Sequence, residues 1–108
     1  MAHEYLNKVQ LRGKVGQITE HRYAAGSYYS FSVVTETYAK AADGTPIIDT
    51  TWLYVLSWGE FFKGGIPSKG DWVEVNGRIK LSRYTGENGN DMTQASIVAR
   101  EVIVLDKN

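Results

Sequence analysis

Apolar and polar residues alternate with a period of two through most of the chain, which predicts β-strands with one buried face. Residues 8–15 are the clearest case. Their polar and largely basic face is formed by Lys8, Gln10, Arg12 and Lys14, and the other face is apolar. Gly13 and Gly16 predict a bend or bulge, which would let this first strand serve two sheets of a small barrel.

Four further strands follow, at Phe31 to Tyr38, 51–58, 71–84 and about Thr93 to Leu105. The segments between them predict a loop or loose hairpin around Gly26 at 19–30, a turn or flexible hairpin tip at 39–49, and a turn-rich hairpin loop at 85–92. Residues 59–70 have room for one helical turn at most, because Gly64, Gly65 and Pro67 interrupt any longer helix.

The alternation also assigns faces to the fourth strand. We expect Val73, Val75, Ile79 and Leu81 to point into the core, and Glu74, Asn76, Arg78, Lys80, Ser82 and Tyr84 to point outward.

Five strands, two of them with mid-strand glycines, predict an all-β protein, a five-stranded OB-fold Greek-key barrel that forms a single domain over residues 1–108. A parallel α/β fold is excluded because the chain has no crossover helices.

The third strand has an aromatic face that a barrel core does not require. Trp52, Tyr54, Leu56 and Trp58 alternate with Leu53, Val55 and Ser57, and the second set already supplies an inner face. The aromatic set would be an oversized exposed apolar patch unless it bound something. A partner subunit is one possible occupant, and nucleic acid is the other.

Cations favour nucleic acid as the occupant of this face. Arg78 and Lys80 lie on the fourth strand beside Tyr84, and the first strand adds Lys8, Arg12 and Lys14. Aromatic rings stack on unpaired bases at about 1–3 kcal/mol per base, and cations neutralise phosphates. Neither contact discriminates strongly among bases. The pattern therefore predicts single-stranded DNA binding with little dependence on sequence.

Composition excludes several other classes of protein. The formal net charge is zero and cysteine is absent, so disulfide scaffolds, thiolate zinc sites and thiol nucleophiles are ruled out. His3 and His21 are isolated, which predicts no metal site. No paired catalytic carboxylates or nucleophile–base pattern occur, so we expect no enzyme activity and no cofactor. The sequence shows no signal peptide or membrane span, which predicts a cytoplasmic protein.

Several stretches, taken in order, resemble bacterial single-stranded DNA-binding proteins. They are Asn7-Lys8-Val9 with Leu11, Gly13 and Gly16; Phe31-Ser32-Val33; Thr51-Trp52 through Trp58-Gly59; Lys69 through Ile79; and Ile97 through Asp106. The resemblance implies an OB fold that assembles as a homotetramer, or alternatively a dimer, and acts in DNA replication, recombination or repair. By position it implies stacking roles for Trp52, Trp58, Tyr84 and Tyr38.

Departures from the family pattern change some of these expectations. Tyr54 stands where a basic residue is common, which would replace a phosphate contact with stacking, and Leu53 replaces a common interface His. The sequence ends at Asn108 without the family's acidic tip, so we do not expect partner recruitment through such a tail. Two alternatives remain open: a primosome-type accessory OB protein, and an assembly module whose aromatic face is buried between subunits. A cold-shock type of RNA-binding protein is disfavoured, because its closely spaced aromatic motifs are not found.

Overall fold

Six strands make up most of residues 2–108, the part of the chain that the computed structural model describes. The strands are β1 (Val9–Tyr23), β2 (Gly26–Lys40), β3 (Pro46–Trp58), β4 (Phe62–Lys63), β5 (Trp72–Thr85) and β6 (Asp91–Asp106). A single 3-10 turn, Gly59–Phe61, lies between β3 and β4.

Strand pairing closes five of these strands into a barrel. β1 pairs antiparallel with β5 at its start and with β2 at its end, β2 pairs with β3, and β5 pairs with β6. A short parallel contact between β3 and β6, at Val55 with Ile97 and Leu56 with Val98, completes the ring. The predicted all-β five-stranded barrel is confirmed.

The bend in β1 allows one strand to belong to both sides of the barrel. β1 pairs with β5 through Lys14 and with β2 from Lys14 onward. A Cβ at Gly13 would collide with the backbone carbonyl of Val34, so this crossing requires glycine. One extra residue lies on β1 between Val15 and Ile18, which is the bulge that the sequence predicts near Gly16.

The barrel core is built from the alternating inner residues of every barrel strand. Val15, Phe31, Val33, Val55, Val73, Val75, Ile97, Ala99 and Val102 are buried together. Phe62 packs against this core from one end, with its ring 6.0 Å from that of Phe31. The prediction of at most one helical turn within 59–70 is confirmed, since one 3-10 turn forms there and is followed by β4, which pairs with β6.

Two segments predicted as a loop or loose hairpin and as a turn or hairpin tip are hairpins, with strands longer than expected. Residues 19–30 form the end of β1 and the start of β2, joined by a turn at Ala24 and Ala25 in front of Gly26. Most of 39–49 likewise belongs to the β2–β3 ribbon, and only 41–45 separate its strands. The 36–40 and 46–51 segments of this ribbon are exposed, so they lack the one-sided alternation that marks a buried strand.

The predicted exposure of residues on the fourth strand, now β5, needs correction toward both ends. Ile79 and Leu81 are 49% and 66% exposed, although we expected them in the core. The pairing of β5 with β1 ends at Gly77, so the β5–β6 ribbon continues past the barrel and has no core to face. Glu74, expected to be solvated, is buried and pairs with Arg12.

Candidate nucleic-acid interface

The outer face of β3 presents the aromatic residues that the sequence singles out. Val55 and Ser57 are buried inside the barrel, so Trp52, Tyr54 and Trp58 point outward. Trp52 is 60% exposed, and Tyr54 and Trp58 are each 39% exposed. Because strand alternation fixes their direction, the three rings lie along one face of the β2–β3 pair.

The bulge in β1 supports the ring of Trp52. Trp52 lies opposite Val34 on β2, and its indole reaches across to Gly16. A Cβ at Gly16 would stand 2.8 Å from the Trp52 ring and 2.5 Å from the Ser32 hydroxyl. The Ser32 hydroxyl accepts a hydrogen bond from the Gln17 backbone N–H at 3.2 Å, which satisfies the bulged backbone. Glycine at position 16 therefore leaves space for the indole to lie against the strand.

Trp58 belongs to a cluster of aromatic side chains at the other end of β3. It lies opposite Tyr28, with ring centroids 5.2 Å apart in an edge-on arrangement. Tyr23 approaches the same indole at 6.3 Å, and His21 lies 6.2 Å from Tyr28. Burial raises the pKa of the Tyr28 hydroxyl, with smaller contributions from Tyr54 and Tyr23.

Lys14 connects the aromatic face to β5. It is the one residue of β1 that pairs with both neighbouring strands, opposite Val34 and opposite Trp72. The row across four strands therefore reads Trp72, Lys14, Val34 and Trp52. The Lys14 ammonium lies 5.5 Å from the centre of the Trp72 ring, within the range of a cation–π contact.

Arg12 is paired with a carboxylate of the neighbouring strand. Its Nε lies 2.7 Å from Glu74 Oε1, and the Glu74 side chain is only 12% exposed. This hydrogen bond from Arg12, followed by one from Asn76, lowers the pKa of the Glu74 carboxyl. The charge of Arg12 is therefore partly compensated before any phosphate arrives.

The remaining predicted residues lie on other parts of the surface. Lys8 is exposed and immediately precedes β1. Arg78, Lys80 and Tyr84 lie on the β5–β6 ribbon, opposite Val98, Ser96 and Met92. The pairing thus places them on a different ribbon from Trp52 and Trp58.

Tyr38 lies on the β2–β3 ribbon, where its hydroxyl donates a hydrogen bond to Glu36 at 2.7 Å. It also lines a cavity of about 250 Å³, whose walls are Arg12, Gly13, Lys14, Val34, Thr35, Glu36, Tyr38 and Trp72. This cavity connects Tyr38 to the row that contains Lys14.

Three aromatic residues of this surface were missed from the sequence: Tyr23, Tyr28 and Trp72. Tyr23 and Tyr28 fell within the segment predicted as a loop or loose hairpin, where no face was assigned. Trp72 was quoted only as part of a motif, although it has the same parity as Glu74 and Asn76 on the outer face of its strand. Cross-strand pairing brings all three to the site, and a single strand's alternation does not reveal pairing.

The basic side chains differ in whether they form an ion pair. Within residues 2–108, Lys8, Lys14, Arg78 and Lys80 form no ion pair, whereas Arg12, Arg22, Lys63 and Lys107 do.

The same part of the chain contains no cluster of three or more side chains able to hold a metal ion. None of its helices is long and apolar enough to cross a membrane.

A closed five-stranded barrel with a bulged first strand shared between its two sides is an OB fold. Residues 6–105 match the model of the single-strand binding protein family, and the chain belongs to that family.

Curated relatives agree with this family assignment. The chain is 32% identical over 104 residues to a single-stranded DNA-binding protein of Neisseria meningitidis serogroup A, covering 93% of this chain and 60% of the relative. It is 31% identical to one of Xanthomonas axonopodis pv. citri, covering 93% and 58%. The chain thus spans about three-fifths of the length of these relatives.

Two solved structures share the fold. A Plasmodium falciparum SSB complex with single-stranded DNA superposes with a TM-score of 0.76 at 20% identity, covering 98% of this chain and all of the other. A small single-stranded DNA-binding protein from Streptomyces coelicolor gives a TM-score of 0.66 at 20% identity, covering 88% and 90%.

Proposed function

We propose that this chain binds single-stranded DNA with little dependence on sequence, by stacking bases on the outer face of β3. The observation that carries the proposal is the set of exposed rings at Trp52, Tyr54 and Trp58, in one sheet with Lys14. Membership of a family of non-enzymatic single-strand binding proteins, and relatives named for single-stranded DNA binding, support it.

The chemistry of the face suits unpaired bases. Each exposed ring offers a π-surface to one base, and stacking of this kind contributes about 1–3 kcal/mol per base. In a duplex the faces of the bases are already stacked on their neighbours, so a row of rings has little to bind. Every base has a π-face, and the interaction therefore favours single strands without selecting a sequence.

Phosphate contacts complete the proposed site. Lys14 lies within the aromatic face, and Lys8, Arg78 and Lys80 are exposed and unpaired within residues 2–108. We expect the DNA strand to pass over Trp58, Tyr54 and Trp52 toward Lys14. It would then reach Tyr38 along the β2–β3 ribbon and Tyr84 along the β5–β6 ribbon. Arg12 contributes less than the free cations, because Glu74 holds its guanidinium.

A fluorescence titration with oligo(dT) at low and moderate salt tests the proposal. The chain has three tryptophans, so binding to the aromatic face quenches intrinsic emission. Affinity falls as salt rises, since bound cations release counterions from the DNA. A DNA duplex of the same length is the control and is expected to give little quenching. Absence of binding to oligo(dT) at low salt would refute the proposal.

The variants Trp52→Ala and Trp58→Ala separate DNA binding from the alternative of a subunit interface. If the rings stack on bases, each change weakens oligo(dT) binding by about 1–3 kcal/mol and leaves the native mass unchanged. If the face joins subunits, the variants dissociate the assembly instead. Sedimentation and titration of the same samples distinguish the two results.

Assembly and biological setting are part of the same proposal. We expect a homo-oligomer, a tetramer or a dimer, that acts in the cytoplasm and covers single-stranded DNA during replication, recombination or repair. Family membership supports this setting. The mass of the native particle in solution tests the oligomer, and a monomer at micromolar concentration would contradict it.

A further inference from the structure

Three aromatic rings meet at the end of the barrel where the β1–β2 hairpin closes. Trp58 lies between Tyr28, 5.2 Å away, and Tyr23, 6.3 Å away. The planes of the tyrosine rings are inclined at 67° and 61° to the indole, so neither tyrosine lies flat on it. The cluster therefore leaves stacking surface open, because no face-to-face pair forms with the indole.

The three rings enclose a shallow cavity of about 240 Å³ that is lined by Tyr23, Tyr28 and Trp58. Tyr23 is 61% exposed and Trp58 is 39% exposed, so the cavity opens to solvent. Aromatic side chains of this size are usually buried when nothing binds them. An open cavity with three aromatic walls is suited to a flat, weakly polar group.

The cluster continues the aromatic face of β3. Tyr54 is on the same face of β3 as Trp58, with Leu56 between them on that face. A strand of DNA that stacks on Trp52 and Tyr54 therefore reaches the cluster without leaving the sheet surface.

Local charges favour a base over a phosphate at this end. Arg22 alternates with His21 and Tyr23, so it lies on the opposite face of β1, where it pairs with Glu20 at 3.4 Å. A neighbouring cavity beside Trp58 is lined by Glu60, whose carboxylate would repel a phosphate.

We propose that Tyr23, Tyr28 and Trp58 form a base-binding pocket that holds one unpaired base of the bound strand without contacting its phosphate. This inference rests on the proposed function and adds two tyrosines to the site. It predicts a distinct salt response, because a purely stacking contact releases no counterions. Loss of the pocket lowers affinity by the same factor at every salt concentration.

The test compares Tyr23→Ala and Tyr28→Ala with the intact chain in oligo(dT) titrations at several salt concentrations. We expect each alanine variant to bind on the order of tenfold more weakly, with an unchanged slope of log affinity against log salt. Tyr23→Phe and Tyr28→Phe keep the ring and are expected to bind like the intact chain. Tyr5→Ala, which changes a fully exposed tyrosine before β1, is the matched control.

A double variant with Trp52→Phe and Trp72→Phe keeps Trp58 as its one tryptophan. The fluorescence of this variant therefore reports on the pocket alone. We expect oligo(dT) to quench Trp58 emission, and adding Tyr23→Ala to reduce that quenching. Emission from Trp58 that is unchanged at saturating oligo(dT) would overturn the proposal.

The outcomes separate the pocket from the function on which it rests. If the intact chain does not bind oligo(dT), the proposed function fails. If it binds and both alanine variants match Tyr5→Ala, the pocket alone is refuted. Should Tyr28→Ala fail to fold by circular dichroism, the more exposed Tyr23 decides the question. Variants that change the native mass but not DNA affinity would assign the cluster to a protein interface, against the proposal.

Discussion

Lys14 has a double position that no other residue of β1 shares. It pairs with Val34 on one side and Trp72 on the other, and its ammonium lies over the Trp72 ring. Under the proposed function this side chain has two partners, the Trp72 indole in the free protein and a phosphate in the DNA complex. Because the cation–π contact at an exposed site contributes only about 0.5–1 kcal/mol, a phosphate competes with it readily.

Replacing Lys14 should therefore alter the electrostatics of binding. Lys14→Ala is expected to weaken oligo(dT) binding at low salt and to reduce the magnitude of the salt slope by about 0.7, the value for one phosphate contact on a single strand. The measurement is the slope of log affinity against log salt. Lys63→Ala is the matched control. Lys63 lies on β4 rather than on the aromatic face, and its ammonium is 2.7 Å from the Glu101 carboxylate. An unchanged slope in Lys14→Ala would show that this lysine contacts no phosphate.

Single residues also show which parts of the site can be predicted from sequence. Trp52, Tyr54 and Trp58 were predictable because alternation within β3 fixes their face once Val55 is placed in the core. Arg12 was assigned the correct face, but its partner Glu74 comes from another strand. Side-chain partners across strands depend on register, which a single sequence does not display.

Strands and ribbons were predicted well inside the barrel and poorly beyond it. Val73 and Val75 are buried as expected, whereas Ile79 and Leu81 continue the same alternation on a ribbon that has left the barrel. The alternation is identical in the two halves of β5, so the sequence gives no sign of where the core ends. The exposed segments 39–40 and 46–49 of β2 and β3 differ, because they lack one-sided alternation and were therefore predicted as a turn or hairpin tip.

The bend of β1 is the element on which both the barrel and the aromatic face depend. A Cβ at Gly13 would meet the backbone of Val34, whereas at Gly16 it would meet the side chains of Ser32 and Trp52. Backbone cannot move aside without disturbing the ladder, but side chains can rotate. The two glycines therefore have different roles, and equivalent substitutions should separate them.

Gly13→Ala is expected to destabilise the fold by about 1–3 kcal/mol, the usual range for overpacking a closely packed interior. Gly16→Ala is expected to cost less stability but to displace the Trp52 ring, which shifts the emission spectrum and weakens oligo(dT) binding severalfold. Urea unfolding and the fluorescence of the folded state measure the two effects. A Gly13→Ala variant with the midpoint of the intact chain would contradict the close approach seen in the structure.

At the scale of the whole molecule, the loop before β5 is joined to the segment after β6 by one carboxylate. Asp71 is buried and accepts hydrogen bonds from the backbone N–H groups of Asn108, at 2.8 Å, and Ser68, at 2.9 Å. Lys107 lies 3.7 Å away. These contacts, the Asn108 bond foremost, lower the pKa of the Asp71 carboxyl below its ordinary value of 3.8.

This lowered pKa gives stability a defined dependence on pH. A carboxyl whose pKa is lower in the folded state binds protons more readily in the unfolded chain, so its contribution is complete above the unfolded pKa and lost as pH falls through the folded one. Glu74, lowered from 4.5 by Arg12, acts in the same direction. The unfolding free energy should hence be level from neutrality to about pH 5 and decline below it.

Asp71→Asn removes the titrating group and should lower the urea midpoint at pH 7 while making the acid decline shallower. In the intact chain, acid protonates the Asp71 carboxylate and weakens its hydrogen bonds to the Asn108 and Ser68 N–H groups. The asparagine amide is uncharged at every pH, so it has no such charge to lose. Asp106→Asn, at an exposed position on β6, serves as the control and should leave both features unchanged. If the Asp71→Asn midpoint fell with acid as steeply as that of the intact chain, Asp71 would not be the source of the pH dependence. In that case the Arg12–Glu74 pair, on the outer face of the β1–β5 ladder, would be the next candidate, because Glu74 is another buried carboxylate with a lowered pKa, and Glu74→Gln tests it.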